Sequence, residues 1–138
     1  MKNFYYATWG DMLNRGHTNP DPVYKSQWKW KSYFFVTLAH SLNIYAFNLI
    51  VKAIWGYELP MFDWDFGWRI GGALAFFITF GLPMAIVNYF LVFHKKRYLK
   101  IMKKYPETNP SIGAIYALSA LFGALLVSFI YGFYTGQI

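Results

Sequence analysis

Residues 70–93 read IGGALAFFITFGLPMAIVNYFLVF, and residues 94–106 continue as HKKRYLKIMKKYP. The first segment runs for 24 residues without an Asp, Glu, Lys or Arg. As a helix it spans about 36 Å at ~1.5 Å per residue, enough to cross a bilayer hydrocarbon core of about 30 Å. The second segment holds six of the chain's thirteen Lys and Arg residues. So abrupt a change from apolar to basic marks a membrane span reaching the side where positive residues collect.

Two further runs, 33–55 and 111–134, meet the same length requirement of about 20 apolar residues. The composition agrees: 57% of the 138 residues are hydrophobic and 14% are charged, where a soluble domain carries about a quarter charged. Little is left outside the runs from which to build a soluble core. The sequence therefore predicts an all-α membrane protein of one domain with three transmembrane helices. The predicted layout is an N-terminal segment (1–32), a first span (33–55), an outer aromatic loop (56–69), a second span (70–93), a basic connection (94–110) and a third span (111–134).

Eleven of the thirteen cations fall in the N-terminal segment and the basic connection. The outer loop carries only Arg69, against Glu58, Asp63 and Asp65. By the positive-inside rule, the N-terminus is predicted cytoplasmic and the C-terminus outside. Trp28, Trp30, Trp55, Tyr57, Trp64, Phe66, Trp68, Tyr131, Phe133 and Tyr134 sit at the expected span ends, where amphipathic rings gather. The first residues include polar and helix-breaking types where a cleavable leader needs an apolar stretch, so no leader is expected. The chain has no cysteine, which excludes disulfides, thiolate metal sites and palmitoylation.

Several local signals refine the layout. Residues 3–13 read either as a short helix lying at the cytoplasmic interface, with Phe4, Tyr5, Trp9, Met12 and Leu13 as its apolar content, or as a tail ordered only by a partner. The stretch GHTNPDP interrupts it, and Asp21-Pro22 reads as an N-cap with proline in the first turn. Asn109 reads as the cap of the third span. Pro83 predicts a kink in the second span, and Gly81 a close approach beside it. Beyond Phe93 the second span is expected to continue as a basic amphipathic cytoplasmic helix. Tyr98, Ile101, Met102 and Tyr105 fall on one face, and Lys96, Arg97, Lys100, Lys103 and Lys104 on the other. This element is the candidate surface for a partner chain or for anionic lipid headgroups. Tethered at a bilayer, it is a poor handle for nucleic acid.

Polar groups within the spans are costly and are functional candidates by default. They are His40, Asn43, Asn48 and Lys52 in the first span and Asn88 in the second. His40 lies about 10 Å inside the boundary and Asn88 about 8 Å. With Asn43 and a hydroxyl of the third span they are expected to form a hydrogen-bonded cluster joining helices. The alternative is a proton relay or haem ligand. Lys52 is expected to reach the outer interface, with Glu58 as an available partner. In the third span, Gly113, Ala117, Ala120 and Ala124, with Gly123 beside them, make a small-residue face suited to close helix packing.

The sequence holds no H-E-x-x-H, G-x-S-x-G, P-loop or G-x-G-x-x-G pattern, so an enzyme acting alone is not expected, and no cofactor or metal is implied. The segment LPMAIVNYFLVFHKKRYLKIMKKY, with the span after it, resembles short three-span proteins of bacterial inner membranes over Leu82 to Tyr131. That group has no established activity, and the resemblance implies a bacterial inner membrane. The stretch AHSLNIY is similar to one in the three-span anchors of succinate dehydrogenases, although their arginine and second histidine are lacking here. The functional expectation is a non-catalytic accessory or scaffolding subunit of a larger inner-membrane complex, packed against other membrane subunits. The alternatives are a small homo-oligomeric transporter or lipid-handling protein and, further off, a quinone or haem anchor.

Overall fold

A computed structural model describes residues 3–57, 59–60 and 68–137, of which the side chains of Trp68 and Arg69 are left aside. The expectations for Glu58, Asp63, Trp64, Asp65, Phe66 and the side chains of Trp68 and Arg69 lie outside this description. All regular structure among the described residues is helical: α1 (Phe4–Thr18), α2 (Pro22–Trp55), α3 (Trp68–Phe76), α4 (Leu82–Asn88), α5 (Arg97–Lys104) and α6 (Ile112–Tyr134). Three helical stretches are long and apolar enough to cross a membrane: Pro22–Trp55, Ile70–Lys104 and Ile112–Tyr134.

The starts and stops follow from capping chemistry. Asp21 accepts from the Val23 amide at 2.9 Å, with Pro22 opening α2. Pro22 lacks an N–H that would have been unpaired in the first turn anyway. Gly56 ends α2 in the left-handed conformation (φ 66°), and its amide bonds the Lys52 carbonyl. The expected cap of the third span moves by two residues. Ser111, not Asn109, caps α6, accepting from the Ala114 amide at 3.1 Å, and the Thr108 hydroxyl accepts from the Ile112 amide at 3.0 Å.

The second span is helical but not uniform. Its α-helical turns widen into π-helical turns at Phe77–Gly81 and Tyr89–Phe93. The first of these lies just ahead of Pro83, whose missing N–H disrupts the ladder. The Ser41 hydroxyl reaches across to the Phe80 carbonyl at 3.3 Å, and Tyr33 donates to the Ala85 carbonyl at 2.6 Å. A Cβ added at Gly81 would meet Phe77 of its own turn at 3.2 Å rather than another helix. Beyond Phe93 the chain does not simply continue. Lys95 and Lys96 adopt φ of 53° and 57°, a left-handed conformation costing a non-glycine residue about 1–2 kcal/mol, and α5 resumes on a new axis.

The largest departure concerns α1. The expected interfacial helix of residues 3–13 is longer and is built into the interior. It runs on through Gly16 to Thr18, and Trp9 and Leu13 are wholly buried. With Ala7, Val36, Val92, Ile101 and Tyr105 they form the main apolar core at the basic end of the molecule. α1 is wedged among α2, α5 and α6, while α2 packs along α6 on one side and against the second span on the other. Glycine makes this wedge possible. A Cβ at Gly10 would lie 2.4 Å from both Cβ and O of Tyr105, and one at Gly113 would lie 2.3 Å from Met12 Cγ.

Candidate functional site

The buried polar groups form two linked centres around α1. The first is at Asp11, which is fully buried. Its Oδ1 accepts from the Thr108 amide (2.7 Å), the Thr108 hydroxyl (3.1 Å) and Arg15 Nε (3.2 Å). Its Oδ2 accepts from the Ser111 hydroxyl and the Gly113 amide (3.0 Å). Arg15 extends the bridge by donating to the Thr108 carbonyl. One carboxylate thus joins α1 to the connection and to the first turn of α6, where the helix dipole favours negative charge. Burial pushes the Asp11 carboxyl up. Bonds from Ser111, Thr108 and Gly113 and the Arg15 charge outweigh that and hold it below the ordinary carboxylate value.

Nearby, Asn14 Nδ2 donates to the carbonyls of Met102 and Tyr105, each at 3.0 Å, and so ties α1 to the end of α5. Thr18 donates to Glu107 Oε1 at 2.6 Å. The candidate partner surface on α5 is divided by this arrangement. Ile101 and Tyr105 are buried, Tyr98 and Met102 are partly buried against the same core, and Lys96, Arg97, Lys100, Lys103 and Lys104 are exposed. The support expected from a membrane surface or another chain comes from α1 of the same chain.

The second centre lies deeper and surrounds Asn88, which is fully buried at the end of α4. Asn88 Nδ2 donates to Thr37 Oγ1 at 3.0 Å and lies 3.3 Å from His40 Nδ1, while its Oδ1 accepts from the Tyr5 hydroxyl at 2.8 Å. The Tyr5 ring stacks on the His40 imidazole with centroids 5.2 Å apart and planes 16° apart. Tyr116 of α6 packs against the other part of the imidazole at 5.4 Å and accepts from Asn43 Nδ2 at 2.7 Å. His40, Asn88, Asn43 and a span-three hydroxyl therefore do gather. Asn43 belongs to the Tyr116 side, and the link to Asn88 runs through Thr37 and through Tyr5 of α1. The Trp9 indole N–H is buried and meets no hydrogen-bond criterion among the described residues, and its ring lies 5.7 Å from Phe93 and 6.4 Å from Tyr33 and from His40.

The other candidates sit apart. Asn48, 2% exposed, accepts from the Leu59 amide at 3.3 Å and so anchors the start of the outer loop. Lys52 places its ammonium 5.6 Å from the Tyr131 ring centroid on α6. On α6, Gly113, Ala120 and Ala124 are buried and Ala117 is partly buried. Gly123 lies off that face, with nothing within 4 Å of an added Cβ. Among the described residues no three His, Asp or Glu side chains are grouped to hold a metal ion.

Sequence reasoning passed over Asp11 and read Tyr5 and Trp9 only as apolar content of the first helix. The signal available was one acid within the aromatic run FYYATWGDML, with a basic residue four positions on at Arg15. The geometry also opens a cleft of about 500 Å³ between the start of α2 and the Tyr89–Phe93 turn. It is followed along α2 by a groove of about 150 Å³, and Trp30 and Tyr33 line both. No family model, curated protein or solved structure matches this chain.

Proposed function

We propose that this chain is a non-catalytic accessory subunit of a larger assembly in a bacterial inner membrane. Its N-terminus and basic amphipathic connection lie on the cytoplasmic side and its C-terminus outside. The observation that carries this reading is the thin internal packing of two spans. In their most apolar windows, only 11% of the second span and 17% of the third are buried within the chain, against 39% of the first. On α6 the outward face includes Leu118, Phe122, Leu125, Leu126 and Phe129, all exposed. Gly123 beside them leaves room for another helix to approach closely.

The placement of the polar groups narrows where a partner would sit. The polar stripe of α2 and the apolar stripe of α5 are satisfied inside the chain, so neither needs a partner. Attachment is assigned to the exposed faces of α6 and the second span, driven by packing rather than by buried charge. The orientation rests on eleven cations gathered at one end. The test is extraction in mild detergent from cells expressing the tagged chain at native level, with a photo-crosslinking residue at Leu126. A larger membrane partner in fixed ratio, crosslinked through α6, supports the proposal. A lone stable monomer with no protein crosslink overturns it.

A further inference from the structure

The cleft and the groove beside it have a polar mouth and an apolar tail, and they lie end to end along α2. The mouth is lined by Ser26, Gln27 and Lys29, with Trp28, Tyr89 and Phe93 as aromatic walls. Lys29 holds its ammonium 4.9 Å from the Tyr98 ring centroid and 5.4 Å from that of Trp28. Among the described residues the one side-chain ion pair is Arg15 with Asp11, so Lys29, which lines the cleft, has no carboxylate paired with it there. Two other acids at this end are engaged elsewhere: Asp21 caps α2 and Glu107 accepts from Thr18.

Below the mouth, the groove passes Phe34, Leu38, Phe77 and Ala85. The polar residues on its wall present carbon, because their hydroxyls are turned to other groups. Tyr33 donates to the Ala85 carbonyl, Thr37 accepts from Asn88, and Ser41 donates to the Thr37 carbonyl at 2.8 Å. From Trp30 to Ser41 the helix rises about 16 Å at ~1.5 Å per residue. One leaflet contributes about 15 Å of hydrocarbon. The groove therefore matches the depth of a single acyl chain, with a cation at its headgroup end.

We propose that this cleft and groove form a binding site for one anionic phospholipid, whose phosphate lies at Lys29 and whose acyl chain follows α2 between Phe34 and Ala85. The aromatic walls suit headgroup level, where Trp and Tyr rings concentrate. The site is independent of the subunit proposal, since every residue in it belongs to this chain and a monomer retains it.

Native mass spectrometry of the full chain in detergent tests the site, with phosphatidylglycerol and phosphatidylcholine of the same acyl composition as probes. One phosphatidylglycerol should be retained in preference to phosphatidylcholine by about fivefold, the equivalent of about 1 kcal/mol for one cation at an anionic headgroup. Lys29→Gln should abolish the preference and Lys29→Arg keep it. Ala85→Phe, which fills the groove, should lower retention of both lipids together. Melting temperatures of the variants in detergent, matching the parent's, show that the fold is intact. Equal retention of the two lipids by the parent chain, or a preference surviving in Lys29→Gln, overturns the proposal.

Discussion

Replacing Asp11 by Asn is the sharpest test of how α1 is held. The substitution keeps size and shape and removes the charge. The two carboxylate oxygens receive five donors, and two of these are backbone amides that cannot turn away, at Thr108 and Gly113. An amide at position 11 keeps one acceptor oxygen and sets an NH2 group against the remaining donors. If the oxygen faces Thr108, the Gly113 N–H is left opposite a donor. The Ser111 hydroxyl can turn to accept from the new NH2 group, but the Gly113 N–H cannot. A buried donor left unpaired costs about 1–3 kcal/mol, and removing one partner of a buried ion pair costs about 3–5 kcal/mol. Arg15 is partly exposed at 38%, which argues for the lower part of that range, about 3 kcal/mol. At ~1.4 kcal/mol per decade, the opening of α1 should become about two orders of magnitude more frequent. Hydrogen exchange of the amides of residues 8–14 in detergent measures this, with amides in the middle of α2 as the internal control. The pH dependence has a definite sign. A carboxyl held below its ordinary value contributes stability that is fully present above the unfolded value of about 3.9 and is lost as pH falls through the folded one. Docking of α1 should therefore be independent of pH around neutrality, where the Asp11 contribution is fully present, and loosen in acid, and Asp11→Asn should remove that pH dependence. Unchanged exchange in the variant at pH 7 refutes the reasoning.

Three further outcomes follow from the same packing. Gly10→Ala should lower the detergent melting temperature, because its methyl would lie 2.4 Å from backbone and Cβ of Tyr105; overpacking of this kind costs about 1–3 kcal/mol, and Ala at exposed Gly72 is the control. Asn88→Leu should weaken the contact of α4 with α2 and α1 by about 1–3 kcal/mol, since intramembrane hydrogen bonds contribute about 0.6–2 kcal/mol each; thermal unfolding followed by circular dichroism reads the loss. Acidic substitution at Ile101, 8% exposed, should expose α1 to limited proteolysis far more than neutralising Lys103 and Lys104 together; equal protection in the two variants would return this segment to the role of a charge anchor.

Three long apolar helices were legible in the chain because span length and mean apolarity are one-dimensional properties. The bilayer imposes them segment by segment, whatever the neighbours do. Capping was partly legible for the same local reason: Asp21-Pro22 acts within one turn. The cap of α6 was assigned to Asn109 because Thr108, Asn109 and Ser111 all carry capping side chains, and the sequence does not select between them. His40 and Asn88 were legible as partners from their similar depth. Tyr5, which completes their cluster, was not, because depth along a span says nothing about a helix outside it.

The destination of α1 belongs to the tertiary structure alone. FYYATWGDML offers aromatic, small and acidic residues without a clean periodic face, so its pattern suits a bilayer surface as well as an interior. What decides is the complementary surface about 90 to 100 residues away: the Tyr105 backbone that Gly10 admits, the α6 amide at Gly113 that the Asp11 carboxylate answers, and the Ile101–Tyr105 face that covers Trp9 and Leu13. The same contact turns the apolar stripe of HKKRYLKIMKKYP inward. The sequence by itself determined that this chain carries three helices long and apolar enough to cross a membrane, and which residues collect at its basic end. Only the fold determined that the basic end closes over its own N-terminal helix, because that closure depends on pairs of surfaces that no single segment contains.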